Sequence, residues 1–438
     1  MNDVDLMLRF MLQLLVVLVA CKAMGWIGKK FLGQTQVVME MLTGVVLGPS
    51  VFGALAPDAQ AYFFPKALTT VVNGVETTSR HPSMAVLYVI AQVGLVLYMF
   101  LVGLEFNVQL IQHRAKGAIS ISVAGIVAPF ILGALLCTAT YHGYGLFKDN
   151  ITLPTAALYF GAAMCITAFP MLARIIYERG ISGTAMGTLA LGAGATDDAA
   201  AWSMLAIVLA FAKGSWTYAA WAIGGGIVFA IFVFLVCRPL FAKLALPLEK
   251  DSNMPQGLFV TVMILLFAGA WVTDAIGIYA VFGAFLIGAA MPRGVFVEEI
   301  RKRVEGITVG LFLPFFFVYS GLNTKLGLID TAALWMIALA VLLAATLGKG
   351  LACTLAAKAL GEKWREAWAI GTLMNSRGLM ELIILNIGLQ QGVITERLYT
   401  IMVIMAIVTT LMASPIFQWL YAKHRLPDED IVRNGAMA

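Results

Sequence analysis

The sequence predicts an all-α polytopic membrane protein, and three observations support this fold class. Hydrophobic residues make up 61% of the 438 residues, and charged residues make up only 12%. A soluble protein carries about 25% charged residues. Apolar runs of about 20 residues, long enough to cross a bilayer as a helix, recur along the whole chain. The expected surroundings are therefore a lipid bilayer. Nucleic acid is not expected as a partner, because no basic stripe interleaved with aromatic residues occurs.

Thirteen apolar runs are predicted to be transmembrane helices. In chain order they are 6–28, 37–53, 84–104, 117–141, 153–177, 183–212, 216–237, 256–275, 277–292, 307–322, 330–358, 366–389 and 397–422. Of the 29 Lys and Arg residues, nineteen lie in one set of alternating loops, seven in the other set and three within spans. Because loops rich in Lys and Arg stay in the cytoplasm, we expect the N-terminus outside and the C-terminus, with a short tail over 426–438, inside.

The fifth span contains a proline in the sequence AMCITAFPMLAR, residues 163–174. Proline lacks a backbone donor, and its ring clashes with the preceding turn. A break or kink is therefore predicted near Thr167–Phe169, just before Pro170.

The sixth span contains two adjacent carboxylates, Asp197 and Asp198, in an otherwise apolar run. Adjacent helical residues point about 100° apart, so the two cannot both face one partner. Lys349 in the eleventh span is the expected partner of Asp197, and Asp198 would then face a water-filled cavity. Arg377 and Glu381 in the twelfth span bring the number of mid-span charges to five. Unpaired, these five would cost on the order of 12–18 kcal/mol.

The twelfth span contains the sequence GTLMNSRGLMEL, residues 371–382. Asn375, Ser376 and Gly378 are weak helix formers around the charged Arg377. This segment is therefore the second predicted interruption.

The two interruptions occupy matching places if the seventh span is a linker. Spans one to six and eight to thirteen then form two halves, and the interrupted spans enter them from opposite sides. This pattern predicts two inverted six-helix repeats with paired discontinuous helices. In secondary transporters, that arrangement builds an ion site near the membrane midplane.

The acidic residue left over by charge pairing suggests a chemistry. Burial disfavours an ionised carboxylate, whereas a bound cation favours it. A proton and a monovalent cation would therefore compete for Asp198, with Thr167 in the break and Thr196 before the Asp pair as further candidates for the site. If the empty charged site crosses the bilayer only at high cost, exchange is obligatory. No P-loop motif is present, and no cofactor is expected besides the transported ions.

Three segments resemble the monovalent cation/proton antiporter-2 family, which includes bacterial sodium/proton exchangers, Kef-type potassium/proton systems and plant cation/proton exchangers. They are GATDDAAAW (194–202), ITAFPMLARI (166–175) and NSRGLMELIILNIG (375–388). The resemblance implies a sodium/proton antiporter-like fold with crossed discontinuous helices. It also implies a homodimer, an elevator movement and, for a bacterial member, a location in the inner membrane.

The resemblance also implies a division of the transmembrane exchanger domain, residues 1–425. The parts are dimerisation segments over about 1–104 and 256–322, core transport segments over about 117–212 and 330–422, and a linker helix over 216–237.

The same resemblance implies roles for individual residues. Asp198 would carry the cation and the proton, Asp197 would bond Lys349, and Thr167 would line the site. The Asp197–Asp198 pair is typical of the sodium-type branch, whereas NSRGLMEL is more similar to the plant potassium exchangers. The choice between Na⁺ and K⁺ therefore stays open. For Arg377 and Glu381 we favour balancing of the half-helix ends over ion contact.

Three other functions fit the sequence less well than cation/proton exchange. Proton- or sodium-coupled symport of a small organic solute would need a larger and more polar cavity. An intramembrane aspartyl enzyme needs two carboxylates facing each other, which adjacent residues on one helix do not provide, so an enzyme is not expected. A channel would need a continuous pore, which obligatory coupling disfavours.

Overall fold

The computed structural model describes residues 3–32, 34, 36–65, 67–72, 75–105, 115–178, 181, 184–213, 216–245, 254–322 and 324–422. The predicted tail over 426–438 lies outside these residues. The described chain is helical apart from its turns and one two-stranded hairpin. It forms two compact units, the first from Met1–Phe106 with Gly225–Gly327 and the second from Asn107–Gly224 with Leu328–Ala438.

The elements are numbered in chain order. The first part of the chain contains α1 (Asp3–Ile27), α2 (Gln36–Leu47), α3 (Phe52–Leu55), α4 (Pro57–Phe63), β1 (Ala67–Val72), β2 (Val75–Arg80), α5 (Pro82–Glu105), α6 (Ala115–Thr140), α7 (Leu153–Cys165), α8 (Phe169–Glu178), α9 (Ala185–Lys213), α10 (Trp216–Phe232) and α11 (Arg238–Ala245). The second part contains α12 (Gln256–Ile276), α13 (Ala280–Ala290), α14 (Val295–Ile307), α15 (Leu313–Gly321), α16 (Ala332–Ala345), α17 (Ala352–Ala359), α18 (Trp364–Met374), α19 (Leu379–Gln390) and α20 (Glu396–Phe417). Short π-helical turns follow α1, α10, α14, α16 and α20, at Gly28–Leu32, Val233–Cys237, Thr308–Phe312, Thr346–Leu351 and Gln418–Ala422, and Leu326–Leu328 is a 3₁₀ turn.

Nine helices in the described part of the chain are long and apolar enough to cross a membrane. Three shorter apolar helices accompany them, at Leu153–Cys165, Ala280–Ala290 and Glu381–Gln390. The expectation of a helical membrane protein is thereby met. The number of thirteen spans and the inverted repeat remain predictions.

In the first unit, α5 packs against α13 and α15, and α15 also packs against α2. The α2–α15 crossing is close because Gly44 has no side chain. A Cβ atom at Gly44 would lie 2.6 Å from the carbonyl oxygen of Phe317 and 2.9 Å from the Cα atom of Val318. Small residues allow membrane helices to gain van der Waals contact in this way.

A β-hairpin precedes α5 in the first unit. Strands β1 and β2 pair antiparallel, in register from Ala67 opposite Arg80 to Val72 opposite Val75. The predicted spans place residues 54–83 in a loop, whereas the structure has strands β1 and β2 within that range. The signal that could have found it is the Asn-Gly pair at 73–74, which favours a tight hairpin turn between two strand-forming runs.

In the second unit, α6 packs against α7, α9, α16 and α17, and α9 packs against α7, α8 and α18. Both predicted interruptions are present: residues 166–168 separate α7 from α8, and residues 375–378 separate α18 from α19. The first lies one residue earlier than predicted, because Phe169 already begins α8. Pro170 is thus in the first turn of α8, where a backbone donor has no partner within the helix and its absence costs little.

Candidate functional site

The two interrupted segments contact each other inside the second unit. The backbone N–H of Ala168 donates to the carbonyl oxygen of Ser376 at 3.1 Å. The hydroxyl of Thr167 donates to the carbonyl oxygen of Met374 at 3.0 Å. Unwinding leaves backbone groups without helical partners, and here each segment supplies partners for the other.

Asp197 and Lys349 form a fully buried ion pair. The distance from Lys349 Nζ to Asp197 Oδ2 is 2.7 Å, and both side chains are 0% exposed. The ammonium group also donates to the carbonyl oxygens of Gly125, at 3.1 Å, and of Cys165. Three acceptors match the three protons of the ammonium group. The structure therefore brings together the two residues whose pairing the sequence suggested.

The Asp197 carboxylate accepts two further hydrogen bonds. The backbone N–H of Thr167 donates to Oδ2 at 2.9 Å, and the hydroxyl of Ser122 donates to Oδ1 at 3.4 Å. Thr167 lies just before α8, and the N-terminal end of a helix carries partial positive charge. Asp197 thus stabilises both the N-terminal end of α8 and the Lys349 ammonium group.

Arg377 and Glu381 form a second buried pair. The distance from Arg377 Nη1 to Glu381 Oε2 is 3.5 Å, and both side chains are 0% exposed. The guanidinium group also donates to the carbonyl oxygens of Ala163, at 3.3 Å, and of Met164. The backbone N–H of Arg377 donates to the Thr410 hydroxyl at 3.2 Å, and that hydroxyl donates to the Arg377 carbonyl oxygen.

These contacts match charges to the ends of the half-helices. The last carbonyl groups of α7 carry partial negative charge, and they accept hydrogen bonds from Lys349 and Arg377. Glu381 lies in the first turn of α19, where a negative side chain is favourable. The balancing of the half-helix ends by Arg377 and Glu381 stays a prediction.

Asp198 and Thr196 lie on α9 beside Asp197. Asp198 is 2% exposed. The Thr196 hydroxyl donates to the Gly192 carbonyl oxygen of its own helix at 2.9 Å, so this bond does not link it to the two ion pairs.

The described residues of the second unit include five buried charged side chains. They are Asp197, Asp198, Lys349, Arg377 and Glu381. When all five are ionised, their charges add up to −1. One proton or one monovalent cation would neutralise this cluster.

Several partners in the site were not identified from the sequence. The carbonyl oxygens of Gly125 and Cys165 hold Lys349, and the hydroxyls of Ser122 and Thr410 complete the two networks. A carbonyl group is present in every residue, so the sequence carries no signal for it. Gly125 allows α6 to approach α17 closely, since a Cβ atom at this position would lie 2.5 Å from Cys353 Sγ.

The family model and the relatives that match this chain are described as exchangers or antiporters. A family model described as sodium/hydrogen exchanger, transmembrane, matches residues 14–423. The chain is 37% identical over 423 residues to the Na(+)/H(+) antiporter NhaS4 of Synechocystis sp., covering 96% of this chain and 98% of that relative. It is 30% identical to K(+)/H(+) antiporter 1 of Saccharomyces cerevisiae, covering 94% of this chain and 46% of the yeast protein, of which it spans about half.

A solved structure shares the fold. The sodium proton antiporter MjNhaP1 of Methanocaldococcus jannaschii matches with a TM-score of 0.64 at 14% identity, covering 98% of this chain and 100% of that chain. At 14% identity, this similarity shows a shared fold alone.

Proposed function

Because the chain belongs to the sodium/hydrogen exchanger family, we propose that it exchanges a monovalent cation, Na⁺ or K⁺, for protons, with Asp198 holding each ion in turn. The resemblance noted from the sequence motifs is confirmed by the family match. The observation that carries the proposal is the buried charge cluster of the second unit, which has a net charge of −1 when fully ionised. One bound cation or one bound proton makes the cluster neutral.

The two acidic neighbours on α9 have different roles in this proposal. Asp197 is held by Lys349, by the Thr167 backbone and by Ser122, and it orients the unwound segment. Asp198 is the carboxylate that alternates between proton and cation. A charged site is costly to move through a bilayer, so the loaded forms change sides more readily than the empty form, and transport becomes exchange.

The remaining site residues support this carboxylate. Thr167 and Thr196 line the site, while Arg377 and Glu381 balance the half-helix ends. The internal network of the second unit, with two buried ion pairs, supports its movement as one body. We assign the transport part to the second unit and the dimerisation part to the first, within a homodimer that works by an elevator movement.

The proposed setting is a bacterial inner membrane, with the N-terminus outside and the C-terminus in the cytoplasm. Na⁺ and K⁺ both remain in the proposal, since one relative is named a Na(+)/H(+) antiporter and another a K(+)/H(+) antiporter. These names do not favour symport of an organic solute, and the family description is that of a transporter rather than an enzyme.

Exchange is tested in liposomes that contain the protein and an internal pH dye. With an acidic interior, addition of Na⁺, K⁺ or Li⁺ outside should raise the internal pH. Asp198→Asn should abolish this alkalinisation, because the amide cannot exchange a proton for a cation. Asp274→Asn, an exposed aspartate near the end of α12, is the matched control and should keep it. Wild-type rates in Asp198→Asn would refute the site, and no response to any cation in the wild type would refute the function.

A further inference from the structure

The carbonyl end of α18 differs from the carbonyl end of α7, the other half-helix that ends at an interruption. The carbonyl end of α7 accepts from Lys349 and Arg377. The corresponding end of α18 accepts from hydroxyl groups: Ser376 Oγ donates to the Leu373 carbonyl oxygen at 2.6 Å, and Thr167 Oγ1 donates to that of Met374. Both ends carry partial negative charge. Among the described contacts, no cationic side chain donates to the α18 end, which leaves it suited to a bound cation.

Asn375 provides a second, independent observation at this end. It is the C-terminal cap of α18 and is 6% exposed, and its backbone N–H donates to the Gly371 carbonyl oxygen at 3.1 Å. Its side-chain oxygen Oδ1 is buried and has no hydrogen-bond partner within the described residues. A buried acceptor without a partner costs free energy, and such an atom in a native protein is commonly explained by a ligand or water.

Helix capping does not explain this asparagine. Asparagine is favoured at helix ends where the backbone is left-handed. The backbone of Asn375 is instead right-handed, with φ −80° and ψ −3°, a conformation open to most residues. The backbone geometry therefore leaves the choice of an amide side chain unexplained.

Hydrogen bonds connect the residue before Asn375 to the residue before the proposed carrier. Met374, which precedes Asn375, accepts the Thr167 hydroxyl, and the Thr167 backbone N–H donates to Asp197, the neighbour of Asp198 on α9. Helix α9 also packs against α18. The backbone beside Asn375 is thus bonded, through Thr167, to the residue beside the carrier.

We propose that the Asn375 side-chain oxygen is a ligand of the transported monovalent cation and sets its affinity; this inference rests on the function proposed above. Oxygen dipoles replace the hydration shell of an alkali cation in protein sites. A neutral ligand also fits the charge count, because one cation cancels the −1 of the buried cluster. A carboxylate at the same place would make the empty cluster −2 and leave the cation-loaded form charged.

The test compares three variants in the liposome assay, with the cation concentration varied at fixed pH. Asn375→Leu keeps the size of the side chain and removes the oxygen. It should raise the half-saturating cation concentration roughly tenfold or more, which corresponds to about 1.4 kcal/mol of binding per factor of ten. Asn375→Ser, which restores a smaller oxygen ligand, should lie between Asn375→Leu and the wild type and change the relative response to Li⁺, Na⁺ and K⁺.

Asn386→Leu is the matched control. Asn386 is an amide on α19 in the same unit, and its Nδ2 donates to the Leu382 carbonyl oxygen at 2.8 Å. Its replacement should leave cation half-saturation and selectivity unchanged.

The outcomes separate this inference from the proposed function. Wild-type half-saturation in Asn375→Leu would overturn the role of Asn375 while wild-type exchange still stood. If Asn375→Leu does not fold, an unchanged order and ratio of cation responses in Asn375→Ser overturns it instead. A tenfold shift with an altered cation ratio supports it, because a purely structural defect would lower the rates for all cations alike.

Discussion

Replacing Lys349 by Met should destabilise the second unit strongly. Lys349 donates to Asp197, Gly125 and Cys165, and its side chain is fully buried. Met is of similar length but offers no donor, so the Asp197 carboxylate would lose its buried counter-charge. The fully ionised cluster would then carry −2 instead of −1.

The magnitude follows from the burial of the pair. Removing one partner of a buried ion pair costs about 3–5 kcal/mol. Unfolding entropy is about 2.1 cal/mol/K per residue, which is roughly 0.5 kcal/mol/K for a second unit of about 230 residues. The midpoint of thermal unfolding should therefore fall by about 6–10 °C. Asp197→Asn alone should also be costly, because it leaves a buried ammonium group.

The assay is a double-mutant cycle on purified protein in detergent. Apparent unfolding midpoints are compared at one heating rate, since unfolding of such proteins is often irreversible. The double variant Asp197→Asn, Lys349→Met removes both charges and should be less destabilised than the sum of the single variants by about 2–3 kcal/mol. Lys358→Met on α17 is the control: Lys358 is only partly buried and donates to the Glu362 carbonyl oxygen at 3.2 Å. The reasoning would be refuted if the losses of stability in the two single variants simply added up in the double variant. It would also be refuted if Lys349→Met and Lys358→Met lowered the unfolding midpoint equally.

Two further predictions concern packing and the second ion pair. Gly44→Ala should cost about 1–3 kcal/mol through overpacking, because the added Cβ atom meets the Phe317 carbonyl oxygen at 2.6 Å; Gly310→Ala, with nothing within 4 Å, should be nearly neutral, and equal melting of the two variants would contradict the packing argument. Thr410→Val should cost about 1–3 kcal/mol by leaving the buried Arg377 backbone N–H without its acceptor. Thr409→Val is its control, since the Thr409 hydroxyl donates to carbonyl oxygens of its own helix at 2.8 and 3.1 Å. Unfolding midpoints that do not separate Thr410→Val from Thr409→Val would count against the Arg377 network.

Much of the site could be recognised in the sequence because its signals are local. A charge inside an apolar run is costly wherever the run packs, so Asp197, Asp198 and Lys349 were identifiable without coordinates. Proline in a span lacks a backbone donor whatever surrounds it, and the first interruption is found within one residue of the place predicted from Pro170. Proline alone does not decide the outcome, since α6 continues through Pro129 and α20 continues through Pro415. The composition likewise predicted a helical membrane protein, because hydrophobicity is a property of each residue by itself.

The hairpin before α5 is not predicted by apolar runs. Such runs distinguish membrane helices from the segments between them, but they carry no signal for a two-stranded element within one of those segments. Its turn signal, Asn-Gly, is local and was available in the sequence.

The sequence by itself determined which residues are charged within the membrane and which segments form helices poorly, because those costs belong to single residues. The tertiary structure decided which groups pair with these charges and with the backbone groups at the interruptions. Lys349 meets Asp197 across 152 residues of chain and shares its other protons with two carbonyl oxygens, and Arg377 holds the end of α7 from more than 200 residues away. Backbone carbonyls are the same in every residue, so only the folded approach of helix to helix selects the ones that bind.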